Sequence, residues 1–392
     1  MPQTQTQTKS NSFEVARDRI LQVEKMVNSI VIGHEEMVKA ILLAAVAGEH
    51  IVVIGPPGTA KSYTVHMFAK LVNAKYHFYL LTKFTSYDEL FGPVDIISLS
   101  RGEFKRNWNR IVSSEFVFLD EIFKANSAIL NALLSLLQER VVYDPITGQP
   151  IQVALHTAVG ASNETPEDPE LQALYDRFSI RVFVDYISDD VMLLKAIQAK
   201  WLNNNSVQPI ASMQDIKTLH QFAMSLMSAR IKDLGEVWKL YHINVVPLVK
   251  TLRSKGVIVS DRTIIEKLPK LYTAYLALYG ITLDNVMNAT YDLVKYLARS
   301  REELKEVENA IEDALGEVAE LARKLEKAKE MLRARNIKTA REILEEILNF
   351  DIAKLEKTPW LKPRVEAIIA SAREYLNLVM QIEEQLEKLA KV

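Results

Sequence analysis

The sequence predicts an α/β fold: a P-loop core with a parallel sheet covered by helices on both faces, followed by helices alone. Three observations carry this. Short β-branched or apolar runs stand at residues 51–54, 116–119, 157–161 and 180–184, and unbroken runs of this kind read as strands buried on both faces, typical of parallel sheets. Helical patterns fill the intervals, giving the βαβ alternation of a doubly covered sheet. A glycine-rich turn, Gly55-Pro56-Pro57-Gly58, closes the first run and opens a helix.

In chain order, residues 1–12 are a polar run of Gln, Thr and Ser, read as a flexible tail. A helix over about 13–27 leads to Ile32-Gly33-His34, and a second spans 35–48. The α/β core is expected to end at 205, where Asn203-Asn204-Asn205-Ser206 gives the best linker signal. Residues 206–300 show only helical periodicity, with helices near 213–230, 235–254, 260–280 and 282–300, and read as a separate helical lid. From Arg301 the apolar positions Leu304, Val307, Ile311, Ala314 and Val318 alternate steps of three and four. The pattern recurs from Val365 to Leu389. Such a 3.5-residue period is a coiled-coil seam. Asn336 marks one break, and Thr358-Pro359 with Lys362-Pro363 marks another. Residues 301–392 therefore read as an antiparallel helical hairpin or bundle.

Composition narrows the function. Hydrophobic residues make up 48% and charged ones 25%, as in globular proteins. A net charge of -2 supplies no global field toward nucleic acid or acidic lipid. The absence of cysteine removes disulfides, thiolate metal sites and cysteine nucleophiles. The N-terminus lacks the apolar stretch of a signal peptide. Apolar runs such as 41–47 fall well short of the ~20 residues that cross a bilayer. A soluble, cytoplasmic protein without a membrane span is expected. His34, His66, His77 and His156 lack metal-ligand spacing and read as structural.

The chemistry concentrates in four places. Gly55, Pro56, Pro57, Gly58, Thr59, Ala60, Lys61 and Ser62, with Tyr63 behind them, form a Walker A pattern after a strand and before a helix. Backbone N–H groups of such a loop cradle the phosphates of ATP. Lys61 is placed to reach the β- and γ-phosphates and Ser62 to ligate Mg²⁺. Ala60 replaces the usual glycine, which is tolerable if its φ stays negative. Asp120 and Glu121 end an apolar strand, where α/β ligand sites form. Asp120 is expected to hold Mg²⁺ and Glu121 to orient the lytic water. Asn163, after the next strand, is expected beside Glu121. Arg177 in Leu174-Tyr175-Asp176-Arg177-Phe178 fits an arginine finger reaching a neighbour's γ-phosphate, with a local salt bridge to Asp176 or Asp168 as the alternative. Arg140 and Arg181 are weaker candidates for that surface. Arg262, in Val259-Ser260-Asp261-Arg262, opens a helix and is the candidate for a nucleotide contact from the lid, with Ser260 or Asp261 as N-cap.

These residues together resemble the MoxR family of AAA+ ATPases, with the nearest likeness to its RavA branch. The likeness rests on Ile32-Gly33-His34-Glu35, the GPPGTAKS loop, Phe91-Gly92-Pro93 and Phe118-Leu119-Asp120-Glu121-Ile122-Phe123-Lys124-Ala125, with LYDRF and VSDR, across roughly 30–300. Alanine before the P-loop lysine is a habit of this family. The resemblance implies an AAA+ core, a hexameric ring and ATP at subunit interfaces. It implies that Lys61, Ser62, Asp120, Glu121 and Asn163 act from one subunit and Arg177 from its neighbour, with Arg262 a candidate to act in trans as well. It also implies a chaperone-like remodeller or maturation factor of protein complexes, with a protein client and a von Willebrand factor A domain partner. The likeness fades in the C-terminal third.

Two inserts, 92–106 and 143–152, are candidate working surfaces lining a pore. A competing reading is a nucleic-acid motor, because Arg101, Lys105, Arg106 and Arg110 interleave with Phe104 and Trp108. Asp144 and the absence of Lys or Arg on the second hairpin argue against it, as does the overall charge. A third reading is a scaffold that uses ATP only to assemble; the intact Asp120-Glu121 pair disfavours it.

Overall fold

The structure, a computed structural model, describes residues 3–188, 190–201, 207–232, 234–334, 336–355 and 362–390. The linker signal at 203–206 and the Thr358-Pro359 break lie outside the described residues. Two helices, α1 (Gln3–Ile30) and α2 (Glu35–Ala47), precede β1 (Ile51–Ile54), α3 (Lys61–Leu71) and β2 (Tyr76–Leu80). The first insert region holds three short helices, α4 (Tyr87–Phe91), α5 (Ile96–Ser100) and α6 (Arg110–Ser113). Then come β3 (Phe116–Asp120), α7 (Ser127–Glu139), the hairpin β4 (Val141–Tyr143) and β5 (Pro150–Gln152), and β6 (Thr157–Ser162). The core closes with α8 (Pro169–Tyr175), β7 (Ile180–Phe183) and α9 (Asp190–Trp201). After it run α10 (Met213–Leu226), β8 (Arg230–Ile231), β9 (Gly235–Glu236), α11 (Val237–Ser254), α12 (Leu268–Tyr279) and α13 (Leu283–Lys295). The C-terminal helices are α14 (Arg301–Arg333), α15 (Ile337–Leu348) and α16 (Lys362–Ala390).

The chain forms two compact units. One comprises Met1–Arg230, Val259–Gly280 and Tyr296–Arg301; the other comprises Ile231–Ile258, Ile281–Lys295 and Glu302–Val392. These units do not follow the linear division into core, lid and bundle. Helices α10 and α12 pack with α2 and α1 beside the sheet. The reason is legible in α2, whose ten residues Met37, Val38 and Ala40–Ala47 are buried. A helix apolar on nearly every face needs partners on every face.

In the first unit the five-stranded sheet runs β2-β3-β6-β1-β7, every pair parallel. All four residues of β1 are buried, as are Phe116–Leu119 of β3, which explains why they read as unbroken apolar runs. Edge strand β2 is only partly covered, and the sequence reading misses it. Helix starts are fixed by side chains. Asn126 accepts from the Ile129 N–H, Asp168 from Glu170, and Ser212 with Asp215 forms a capping box. Residues 3–12 continue α1 rather than forming the expected tail. The β8–β9 hairpin interrupts the stretch read as wholly helical.

In the second unit α11 packs on α13, and α16 packs on α13 and α15. The break at Asn336 is present, and its side chain caps α15 through the Thr339 N–H. Val307, Val318, Ala328, Leu344 and Val365 are buried seam positions.

Candidate nucleotide site and arginine cleft

The P-loop leaves β1 through a tight turn. A Cβ on Gly55 would meet the Val184 carbonyl oxygen at 2.3 Å, so only glycine fits against the end of β7. Gly58 has φ +81 and Ala60 has φ +54. The condition set for alanine, a negative φ, is therefore not met: the residue before α3 is left-handed, a conformation that favours glycine. Thr59 is buried and donates to the Pro56 carbonyl at 2.9 Å. Lys61 folds back over the loop, donating to the Gly55 and Pro56 carbonyls at 2.6 and 2.9 Å. Burial lowers its pKa, and Asp120 and Glu121 oppose that fall. Ser62 is exposed in the first turn of α3. Tyr63 lies under the Lys200 ammonium, 5.2 Å from the ring centroid.

Asp120 stands at the C-terminal end of β3, where burial raises its pKa against the Glu121 N–H that it accepts at 3.0 Å. Glu121 takes a left-handed backbone, φ 52, which swings it out of the strand line. Its Oε1 accepts from Asn163 Nδ2 at 2.8 Å and pairs with Lys124 at 3.3 Å. The residues expected together on the P-loop side thus stand at the C-terminal ends of neighbouring strands β1, β3 and β6.

Sequence reasoning missed three neighbours of this site. Tyr186, just past β7, donates to the Pro57 carbonyl at 3.1 Å. Ile187 covers Gly33, and His34 sits close enough to Lys61 to feel its charge, although burial is the main cause of its lowered pKa. For Tyr186 and Ile187 the available signal was topological: residues following a strand at its C-terminal end belong to the site.

Arg177 and Arg262 stand elsewhere. Both line a cleft of about 110 Å³ with Gly48, His50, Arg140 and Lys267. Gly48 and His50 precede β1, and Arg177 precedes β7, so the cleft lies at the N-terminal ends of the strands. The Arg177 Nε is buried without a partner, and its Nη1 reaches only the Ala173 carbonyl at 3.3 Å. The alternative salt bridge to Asp176 or Asp168 is not formed. Asp176 instead takes Arg181 and Arg299, and Asp168 caps α8. Ser260 is the residue that accepts the Thr263 N–H, and Arg262 pairs with exposed Glu266 at 2.9 Å.

Arg140 lines the cleft but is committed. It donates to the carbonyls of Leu137, Gly48 and His156 and lies against His50. His50 donates to Leu137 O through Nε2 at 2.8 Å and accepts from the Ala158 N–H at 2.9 Å. Burial keeps this imidazole neutral, with Arg140 reinforcing the effect. Arg181 is a cleft neighbour tied to Asp176, with its guanidinium 4.7 Å from the Tyr175 ring.

The insert reading also changes. Residues 92–106 form a hairpin-like excursion closed by a Val94–Arg106 bridge, with α5 at its tip. Arg106 is not a phosphate-facing residue. Its side chain is 2% exposed, paired with Asp144 at 2.7 Å and with Asp88, and it donates to the Gly92 carbonyl. It thereby locks the first insert to the β4–β5 hairpin, and Tyr87 adds a bond to the Tyr143 carbonyl at 2.9 Å. Asp144 is 4% exposed, so its charge is spent inside this clamp rather than displayed. Both tips also present apolar side chains outward: Ile96, Ile97, Leu99 and Ile146 are all more than half exposed.

A parallel sheet in this order, carrying a P-loop and strand-end carboxylates on one end and unpaired arginine on the other, defines a P-loop ATPase core of the AAA+ class. The family model for the MoxR domain of MoxR–vWA–β-propeller ternary systems matches residues 18–222, and the chain belongs to the MoxR family of AAA+ ATPases. It is similar to an uncharacterized Methanocaldococcus jannaschii protein, MJ0812, at 35% identity over 61% of each chain. It is similar to Chaperone MoxR1 of Mycobacterium tuberculosis at 28% identity, over 42% of this chain and 44% of that protein. The chain thus spans under two thirds of the length of these relatives. A crystal structure of a candidate ATPase from Cytophaga hutchinsonii shares the fold at a TM-score of 0.59 and 21% identity, covering 78% of this chain and 97% of that one. These matches support the family level and do not single out the RavA branch. No helix among the described residues is long and apolar enough to cross a membrane.

Proposed function

We propose that this chain hydrolyses ATP in a ring, expected to be hexameric, whose active sites are each completed by a second copy, and that it works as a chaperone-like remodeller of protein complexes. One observation carries the reading. Lys61, Asp120, Glu121 and Asn163 lie at the C-terminal ends of the strands, whereas Arg177 and Arg262 lie at the N-terminal ends. A four-residue strand spans about 13 Å, so with its flanking loops the two groups are too far apart to meet on one nucleotide. Arginines that serve the reaction must serve a neighbour's site.

Within one copy, Lys61 now donates to two neutral carbonyls, and a triphosphate offers it better acceptors. Glu121 has Asn163 on Oε1, which fixes the carboxylate and leaves Oε2 to align a water with the γ-phosphorus. Ser62 and Asp120 supply hard oxygen donors that suit Mg²⁺, which needs few protein ligands when phosphates supply others. When bound, the ion neutralises charge on the phosphates. Arg177 then stabilises charge from across the boundary.

The remodelling role draws on the chaperone-named relative and on the matched family, whose name includes a von Willebrand factor A component; a partner of that kind is proposed here. The motor reading is weakened by Arg106, which is buried in ion pairs and offers nothing to a phosphate backbone. The test is ATP turnover with oligomer mass for wild type and Glu121→Gln. Wild-type turnover together with ATP-bound, inactive Glu121→Gln oligomers supports the reading. Equal turnover in both would replace it with the scaffold.

A further inference from the structure

We propose that Lys267 joins Arg177 and Arg262 in a three-cation receptor for the terminal phosphate of a nucleotide held by a second copy of this chain. This rests on the trans reading above. The cleft brings together Arg140, Arg177, Arg262, Lys267 and Lys270 against the carboxylates Glu49 and Glu266. Their existing partners single out the cations left to receive a phosphate. Arg140 is spent on three carbonyls. Lys270 is spent on Glu49 at 2.7 Å, whose other oxygen takes the Ser179 hydroxyl. Arg262 holds only a solvent-exposed carboxylate, a pairing weak enough to exchange.

Arg177 and Lys267 are in no ion pair among the described residues; Lys267 donates to the neutral Asp176 carbonyl, next to Arg177 in the chain. The cleft, about 110 Å³, is walled mainly by these cations rather than by apolar or aromatic side chains that would hold a base, which suits it to an anionic group.

The backbone supports the assignment. Thr263–Lys267 is a turn of π-helix before α12, and such turns are frequent at functional sites. Burial lowers Lys267 to about 8, with Glu49 and Asp176 opposing and Arg181 and Arg262 reinforcing the shift. An arriving phosphate reverses that shift, so the lysine is charged most firmly when the neighbour's nucleotide is present.

The experiment measures ATP affinity and saturated turnover for Lys267→Gln, Lys267→Met and Lys267→Arg, alone and in mixed oligomers. Each neutral variant is expected to bind ATP within about twofold of wild type and to lose at least about tenfold in turnover, the scale of one lost charge-stabilising donor. Lys267→Arg recovers most of it. Mixing Lys267→Gln with Glu121→Gln restores turnover, because the intact cleft of one copy then faces the intact carboxylates of the other. Mixing it with Arg177→Ala does not, since both lesions lie on the same face. If Arg177→Ala is rescued by Glu121→Gln while the neutral Lys267 variants turn over like wild type, the receptor proposal is wrong and the trans reading survives. If the Arg177→Ala mixture stays dead, the trans reading falls and takes the receptor with it.

Discussion

The two ends of the central sheet differ in what their charges have already found. At the C-terminal end the charged groups are engaged within the subunit: Lys61 on loop carbonyls, Asp120 on the Glu121 N–H, Glu121 on Asn163 and Lys124. At the N-terminal end Arg177 keeps a buried Nε with no acceptor. An orphaned buried donor is costly, and at Arg177 it sits in a cationic cleft that an incoming anion could enter. The difference teaches that one end is assembled by the fold, whereas the other, under the proposed trans reading, is the end that association would finish. The sharpest way to break that comparison is Arg177→Ala. Turnover is expected to fall by roughly 10³ or more, the scale of an arginine finger, while equilibrium ATP binding holds. Equal losses in binding and turnover would put Arg177 in its own subunit's site.

A second comparison is between arginines that look alike in sequence. Arg106 stands in a basic-aromatic strip and Arg177 in a short helix-end motif, and both suggest phosphate. Arg106 is instead enclosed by Asp144, Asp88 and the rings of Tyr87 and Trp108. Its partner Asp144 is held below the usual carboxylate range: burial alone would raise it, but the Arg106 hydrogen bond and the Thr147 and Ile146 N–H groups outweigh that. Removing one member of a buried pair leaves the other uncompensated, at roughly 3–5 kcal/mol. Arg106→Met is therefore expected to destabilise the first unit by about 4 kcal/mol in denaturant unfolding. Adding Asp144→Asn should return part of this. A loss under about 1 kcal/mol would mean that the inserts are not clamped.

What was legible in the sequence follows from the same physics. Strands β1, β3, β6 and β7 announce themselves because both faces are buried and the runs are unbroken. The edge strand Tyr76–Leu80 does not, because covered and exposed positions mix. The P-loop, the strand-end carboxylates and Asn163 are read from local order along the chain. The cleft is read in part, through Arg140, Arg177 and Arg262, whereas Gly48, His50 and Lys267 are not, because they join it only through packing of distant segments. The clamp stayed hidden for that reason as well: residues 106 and 144 are joined by tertiary contact alone.

Histidine offers a third way to sharpen the contrast between engaged and open ends. His156 is half-buried beside the cleft, donates to the Ala45 carbonyl at 2.7 Å, and is lowered to about 4, chiefly by desolvation. Its folded pKa lies below the unfolded value near 6.5, so unfolding takes up a proton. Its cost is absent above about pH 6.5 and grows as pH falls toward 4, reaching about 3 kcal/mol. Stability measured from pH 7.5 to 4 should decline accordingly, and His156→Gln should flatten the slope. An unchanged slope would assign the acid loss to other groups.

The smallest expected effect tests the engaged end itself. Ala60 is left-handed at φ 54, ψ 20, immediately before Lys61. That conformation costs an L-residue ~1–2 kcal/mol, whereas glycine adopts it freely but gives up more chain entropy, ~0.5–1 kcal/mol. Ala60→Gly should therefore stabilise the first unit by about 0.5–1 kcal/mol and leave ATP affinity within twofold, because the loop already has the geometry glycine prefers. If the substitution destabilises instead, the alanine methyl must contribute packing that outweighs its backbone strain. The alanine would then be a structural choice of this loop rather than a tolerated departure from glycine.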